Sequence, residues 1–170
     1  MVEIRVARPG DAPAIADIYN QGIRGRMATF ETRERSAADI EGWFASAQYP
    51  ILVAEREGGV VGFVAASSYR PRDCYRGIAE FSVYVAESAR GMRVGDRLMA
   101  AFIPALEEAG FWKVLSRIFP ENEASRALCR RHGFREVGVY QRHAQLDGVW
   151  RDVVIVERLV GRAAESETSR

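Results

Sequence analysis

Apolar positions along the chain switch between a period of two and a period near four, and the switches lay out a series of elements. Ile4 and Val6 alternate with charged neighbours, as in a short strand. Pro9-Gly10-Asp11 then makes a turn, and Asp11 is placed to cap a helix carrying Ile15, Ile18 and Tyr19 on one side. Residues 22–35 are mixed and turn-rich around Ala28-Thr29-Phe30-Glu31-Thr32, and a second helix starts at Ser36 with Ile40, Trp43 and Phe44 on one side. Ile51 to Glu55 and Val60 to Ala65 flank Gly58-Gly59 and predict a hairpin. The next strand runs from Ile78 to Val85. Leu98, Phe102 and Leu106 recur every four residues in a helix that reaches Ala109, with a bend expected at Pro104. Lys113 to Phe119 reads as a strand and Glu121 to His132 as a helix, followed by strands over Arg135 to Leu146 and Arg151 to Leu159.

The resulting order, β-α-α-β-β-β-α-β-α-β-β, predicts an α/β (α+β) fold: a mixed central β-sheet of about seven strands with helices on both faces. Residues 2–160 are expected to form a single domain, and the small, polar stretch 163–170 a disordered tail. The chain contains no internal repeat.

Composition narrows the function classes. With 170 residues, 48% of them hydrophobic and 28% charged, the chain has the make-up of one globular domain with a real core. A formal charge of +1 offers no global attraction to nucleic acid or anionic membrane, so any anion must be held by local geometry. The two cysteines, Cys74 and Cys129, form no disulfide framework, and with His132 and His143 they show no metal-ligand spacing. A cytoplasmic protein without metal is expected. The N-terminus interrupts its apolar residues with charge, unlike a signal peptide, and no window resembles a membrane span.

Candidate chemistry concentrates around Arg90-Gly91-Met92-Arg93-Val94-Gly95, which joins the strand ending at Val85 to the helix carrying Leu98. The first turn of a helix has N–H groups without intrahelical partners and roughly half a positive charge from aligned peptide dipoles, so anions are stabilised there. Taken alone, such a loop is more often an ordinary cap than a phosphate cradle. No Lys-Ser or Lys-Thr pair follows Gly95, and Lys113 is the only lysine, which argues against a nucleotide-binding kinase. On the preceding strand, a period of two puts Phe81, Val83 and Val85 on one face and Glu80, Ser82 and Tyr84 on the other.

The loop, read as Q/R-x-x-G-x-G/A, resembles the acetyl-CoA signature of the GCN5-related N-acetyltransferase (GNAT) superfamily, and the resemblance extends over nearly all of residues 2–160. Ala28-Thr29-Phe30-Glu31, Ala79-Glu80-Phe81-Ser82-Val83-Tyr84-Val85 and Gly148-Val149-Trp150-Arg151-Asp152-Val153 are similar to the branch that acetylates the α-amine of phosphinothricin, methionine sulfoximine or sulfone, and arsinothricin. Two positions depart from the pattern. Arg93 stands where the motif has its first glycine, and Cys129 where many members have a tyrosine general acid.

The resemblance implies acetyl-CoA as co-substrate, a small anionic amino acid as acceptor and direct transfer between them. The loop positions Arg90, Gly91, Met92, Arg93, Val94, Gly95 and Asp96 are implied to hold the pyrophosphate with their N–H groups. Val83 and Val85 would offer backbone bonds to the pantetheine arm and acetyl carbonyl, although their side chains read equally as core. Asn122 and Ser125 match a coenzyme A contact, and helix capping explains them as well. Glu80 matches the branch's catalytic glutamate, and no general acid is assigned, since solvent or Tyr84 suffices for a thiolate leaving group. Phe30 and Glu31 match the loop lining the amino-acid pocket, while Arg70, Arg72 and Arg76 offer two-pronged donors for an anionic substrate. Trp150 and Asp152 are read as shaping the fold or a dimer contact, and a homodimer is expected by analogy. The alternatives are acetylation of a protein N-terminus or an antibiotic amine, and a non-catalytic acyl-CoA sensor.

Overall fold

The computed structural model describes residues 1–165. Its strands are β1 (Val2–Val6), β2 (Ile51–Arg56), β3 (Gly59–Ser68), β4 (Ile78–Val85), β5 (Lys113–Ile118), β6 (Arg135–Leu146) and β7 (Val149–Leu159). They form one mixed sheet in the order β1-β2-β3-β4-β5-β7-β6. Every neighbouring pair is antiparallel except β4 with β5. The helices are α1 (Ala12–Gly25), α2 (Ala37–Glu41), α3 (Val94–Glu108), α4 (Glu123–Arg131) and α5 (Arg162–Glu165). The expected mixed α/β architecture is therefore present.

Alternation within the strands divides the core between the two faces of the sheet. Leu52, Val64, Phe81 and Val114 point to one side, where α3 buries Val94, Leu98, Met99, Phe102, Ile103 and Leu106 and α4 contributes Leu128 and Cys129. Val53, Phe63 and Tyr84 point to the other, where they meet Ile15 and Ile18 of α1 and Ile40 of α2. A third, smaller cluster of Phe119, Leu146 and Val153 closes the end of the β6–β7 hairpin, with Phe30 packed against it.

Several local expectations are corrected. The turn-rich segment expected from residue 22 is helical as far as Gly25, where Arg26 ends α1 in the left-handed region. Gly22 is a packing glycine and not a turn: a Cβ there would stand 2.4 Å from the Tyr84 ring. Asp11 does not cap α1 with its side chain; its carboxylate accepts instead from Arg5 at 2.8 and 2.9 Å and from the Arg8 N–H at 2.7 Å. The hairpin turn is Glu57-Gly58, both at positive φ, and Gly59 already pairs with Arg56. As expected, the helix α3 continues through Pro104, and Pro104 and Ala100 are both exposed. The disordered tail expected from residue 163 is instead helical through Glu165, and residues 166–170 lie outside the described residues. Asp152 shapes the fold, accepting from the Arg142 N–H at 2.7 Å where β6 bulges against β7.

Candidate active site

The parallel pairing of β4 with β5 extends only from Ile78↔Lys113 to Glu80↔Leu115, after which the two strands separate. Backbone direction along β4 fixes what faces the gap. The carbonyl of Gly77 accepts from Trp112 and Lys113 N–H at 2.8 and 3.2 Å, and that of Phe81 accepts from the Ser116 hydroxyl at 3.0 Å, both on the β5 side. The Ala86 N–H donates to Val61 on the β3 side at 2.8 Å. Odd-numbered residues thus turn their polar groups towards β5, which puts the N–H and C=O of Val83 and Val85 at an open edge.

That edge is one wall of a cleft of about 660 Å³, whose other walls are the start of α3, the start of α4 and the end of α1. Arg97 is the first residue of α3 to bond back, to Arg93 at 3.2 Å, so the N–H groups of Val94, Gly95 and Asp96 precede the intrahelical ladder. Arg93 introduces the helix at φ 57°, a left-handed conformation that costs a side-chain-bearing residue roughly 1 kcal/mol and that the motif glycine adopts freely. Its guanidinium remains largely exposed beside the cleft, 3.6 Å from Asp96. Asp96 is also bonded to Arg131 at 3.0 Å and His132 at 3.1 Å; the hydrogen bond from Arg131 leads in holding its carboxyl below the usual range, against a smaller opposing effect of burial.

Ten of the sequence-assigned cofactor residues line this cleft: Val83, Val85, Arg90, Gly91, Arg93, Val94, Gly95, Asp96, Asn122 and Ser125. Met92 does not; it points away, its sulfur 3.1 Å from Arg56, and its N–H is taken by the Ala89 carbonyl at 3.4 Å. Asn122 does cap α4, accepting from the Ser125 N–H at 3.2 Å, and its amide nitrogen also ties down the Met27 carbonyl at 3.2 Å.

A smaller recess of about 60 Å³ opens where β4 and β5 diverge, and it shares Ala28, Val83, Tyr84, Asn122 and Ser125 with the large cleft. Arg117 and Cys129 are among its other walls. Glu80 lies half-buried at the last β4–β5 pair, on the same face as Ser82 and Tyr84, and is ion-paired to Arg117. Burial raises its carboxyl above the usual carboxylate range, with Arg117 and Arg70 pulling in the opposite direction. Burial also pushes the Tyr84 hydroxyl above its ordinary range and the Cys129 thiol up to about 12.

The assigned substrate residues do not converge as a group. Phe30 meets Phe119 edge-on at 4.9 Å, in the cluster below the β6–β7 turn. Glu31 pairs with Arg35 at 2.8 Å. Arg70 lies over the Tyr69 ring, whereas Arg76 lies over Trp112 and beside Asp73. Neither Phe30, Glu31, Glu80, Arg70, Arg72 nor Arg76 lines either recess. Arg117 is the residue that sequence reasoning missed. Its strand, Lys113-Val114-Leu115-Ser116-Arg117-Ile118, alternates so that Arg117 shares the Leu115 face, and only the register Glu80↔Leu115 reveals that this is the Glu80 face. Among the described residues, no group of three His, Cys, Asp or Glu is placed to hold a metal ion.

The family model described as "Acetyltransferase (GNAT) family" matches residues 15–134. The phosphinothricin N-acetyltransferase of Alcaligenes faecalis is 35% identical over 91% of this chain and 81% of its own length. An L-methionine sulfoximine/L-methionine sulfone acetyltransferase of Pseudomonas paraeruginosa is 34% identical over 91% of this chain and 92% of its own. Among solved structures, a GNAT superfamily phosphinothricin acetyltransferase from Sinorhizobium meliloti in complex with AcCoA superposes with a TM-score of 0.90, at 29% identity, covering 96% of this chain and 91% of that one.

Proposed function

The chain belongs to the GNAT family of acetyltransferases, and from that premise we propose that it transfers the acetyl group of acetyl-CoA to the α-amine of a small anionic amino acid. It is an acetyl-CoA N-acetyltransferase of the phosphinothricin and methionine sulfoximine type. The acceptor is phosphinothricin, methionine sulfoximine or sulfone, or arsinothricin, and acetylation detoxifies it. The observation carrying this reading is the continuity of the open β4 edge, the α3 N-terminus and the recess beside Glu80 and Arg117.

The residues present fit the acyl donor. Free first-turn N–H groups on α3, with Arg90 and Arg93 beside them, suit a diphosphate; the N–H and C=O of Val83 and Val85 suit the amide-bearing arm. Acetyl-CoA supplies the electrophilic thioester carbon. Glu80, directly or through water, accepts the proton of the substrate ammonium, and its raised proton affinity suits a carboxylate to that task. The freed amine forms the new N–C bond as the C–S bond breaks, and a β4 N–H stabilises the charge that develops on the carbonyl oxygen. The sulfur departs as a thiolate, and the second proton that the nitrogen loses on becoming an amide passes through solvent to that sulfur. Cys129 is a poor donor, because its thiol is pushed up to about 12, well above an ordinary thiol.

We place the enzyme in the cytoplasm as a homodimer. Both cysteines are free, and no helix among the described residues is long and apolar enough to cross a membrane. The exposed Val137, Val139, Tyr140, Val149 and Trp150 on the β6–β7 hairpin support self-association.

Thiol release from acetyl-CoA tests the acceptor. Phosphinothricin, methionine sulfoximine, methionine sulfone and arsinothricin are expected to exceed an aminoglycoside and a peptide N-terminal amine by on the order of 100-fold in kcat/KM, since only the former carry, on the carbon that bears the reacting amine, a carboxylate for an arginine to pair. Faster turnover of the peptide or the aminoglycoside would refute the assignment.

A further inference from the structure

The group nearest to Glu80 is an arginine that comes from neither the substrate loop nor the signature. Arg117 reaches the Glu80 carboxylate from β5, lines the recess between the diverging strands, and keeps about half of its side chain exposed. An α-amino acid carries its ammonium and carboxylate on one carbon, so receptors for the two must stand side by side. Glu80 and Arg117 do, being directly paired, whereas Arg76 is engaged by Asp73 and Trp112.

We propose that Arg117 is the specificity residue for the substrate's α-carboxylate, and that the Glu80–Arg117 ion pair of the free enzyme is exchanged for two pairs with the zwitterion. The substrate ammonium donates to Glu80, and the substrate carboxylate accepts from Arg117. The exchange keeps the charges balanced: each charged group exchanges one opposite charge for another, and no buried charge is left alone. The planar guanidinium suits this role because it presents two parallel donors to a carboxylate. The exposure of Arg117 keeps its initial pair with Glu80 weak enough to open. Arg70, on the loop before β4 and within electrostatic reach of Glu80, is left for the distal phosphinate, sulfoximine or arsinate group.

This inference rests on the amino-acid reading above and is tested separately from it. The experiment compares kcat/KM for methionine sulfoximine with that for its α-carboxamide, which keeps the amine and side chain but lacks the anionic carboxylate. In the wild-type enzyme the acid is preferred by roughly 10- to 100-fold, the range for a charge-assisted pair. In Arg117→Ala that preference falls to within about 3-fold of unity, and Arg117→Lys, which keeps the charge but not the fork, restores part of it. Acetyl-CoA affinity, measured by calorimetry, stays within about 2-fold in both variants and reports that the fold is intact. An unchanged acid-to-amide preference in Arg117→Ala overturns the role of Arg117 while leaving the amino-acid reading in place. A wild-type enzyme that acetylates neither compound overturns that reading and this inference with it.

Discussion

Glu80→Gln lowers kcat by about two to four orders of magnitude, the range for losing a positioned general base, while acetyl-CoA binds as before. The amide keeps the shape and hydrogen-bonding reach of the side chain but has no proton affinity near neutrality. The pH profile carries the sign of the effect. Burial raises the Glu80 carboxyl above the usual range, and Arg117 and Arg70 offset this only in part. The base form is therefore depleted as pH falls through that raised value, so kcat/KM of the wild-type enzyme declines on the acid side at a higher pH than an ordinary glutamate would dictate. Glu80→Gln abolishes that acid limb along with the rate. Stopped-flow or steady-state thiol release across pH measures both; a variant retaining more than a tenth of the wild-type rate with the limb intact would assign the base elsewhere.

Gly95→Glu weakens acetyl-CoA binding by roughly 100-fold, about 2 to 3 kcal/mol, because it sets a carboxylate among the α3 N–H groups proposed to hold a diphosphate. The substitution separates binding from folding. The tightest contact of a Cβ at this position is the Leu128 side chain at 3.2 Å, which a small rotation relieves, with Val85 at an ordinary 4.0 Å, and an acidic residue in the first turn of a helix is itself favourable. Thermal stability is thus expected to hold within a few degrees while affinity collapses. Calorimetric titration and a melting curve make the comparison; unchanged affinity would remove the diphosphate from this end of the cleft.

The sheet and the large cleft were legible because their signals are local. The period-two pattern of Phe81 to Val85 reports which side chains share a face, and the four-residue spacing of Leu98, Phe102 and Leu106 reports the buried side of α3; both held. The signature loop fell on the cleft wall for the same reason, since spacing along the chain is spacing around one helix terminus. What failed depended on partners distant in sequence. Gly22 reads as a turn until Tyr84, 62 positions later, is found against it. Asp11 reads as a helix cap until Arg5 and the Arg8 amide claim its carboxylate. Met92 belongs to the signature by position, yet the turn around it directs the side chain towards Arg56. The same limit hid Arg117, whose place beside Glu80 depends on a strand register set by a crossover of some thirty residues.

The two departures from the family pattern also resolve differently. Arg93 adopts the positive φ expected of the glycine it replaces, so the loop geometry survives the substitution at a local conformational cost. Cys129, at the tyrosine position, is buried, and burial pushes its thiol up to about 12, which disfavours proton donation.

The central claim is that acetyl-CoA occupies the gap left where β4 and β5 part. Amide hydrogen exchange with and without acetyl-CoA tests it at the residues concerned. The N–H groups of Val83, Val85, Gly95 and Asp96, which face the cleft, are expected to slow on binding, while those of Ser82 and Tyr84, turned towards β3, stay unchanged. Saturation with acetyl-CoA that leaves Val83, Val85, Gly95 and Asp96 exchanging at their free rates would contradict the account.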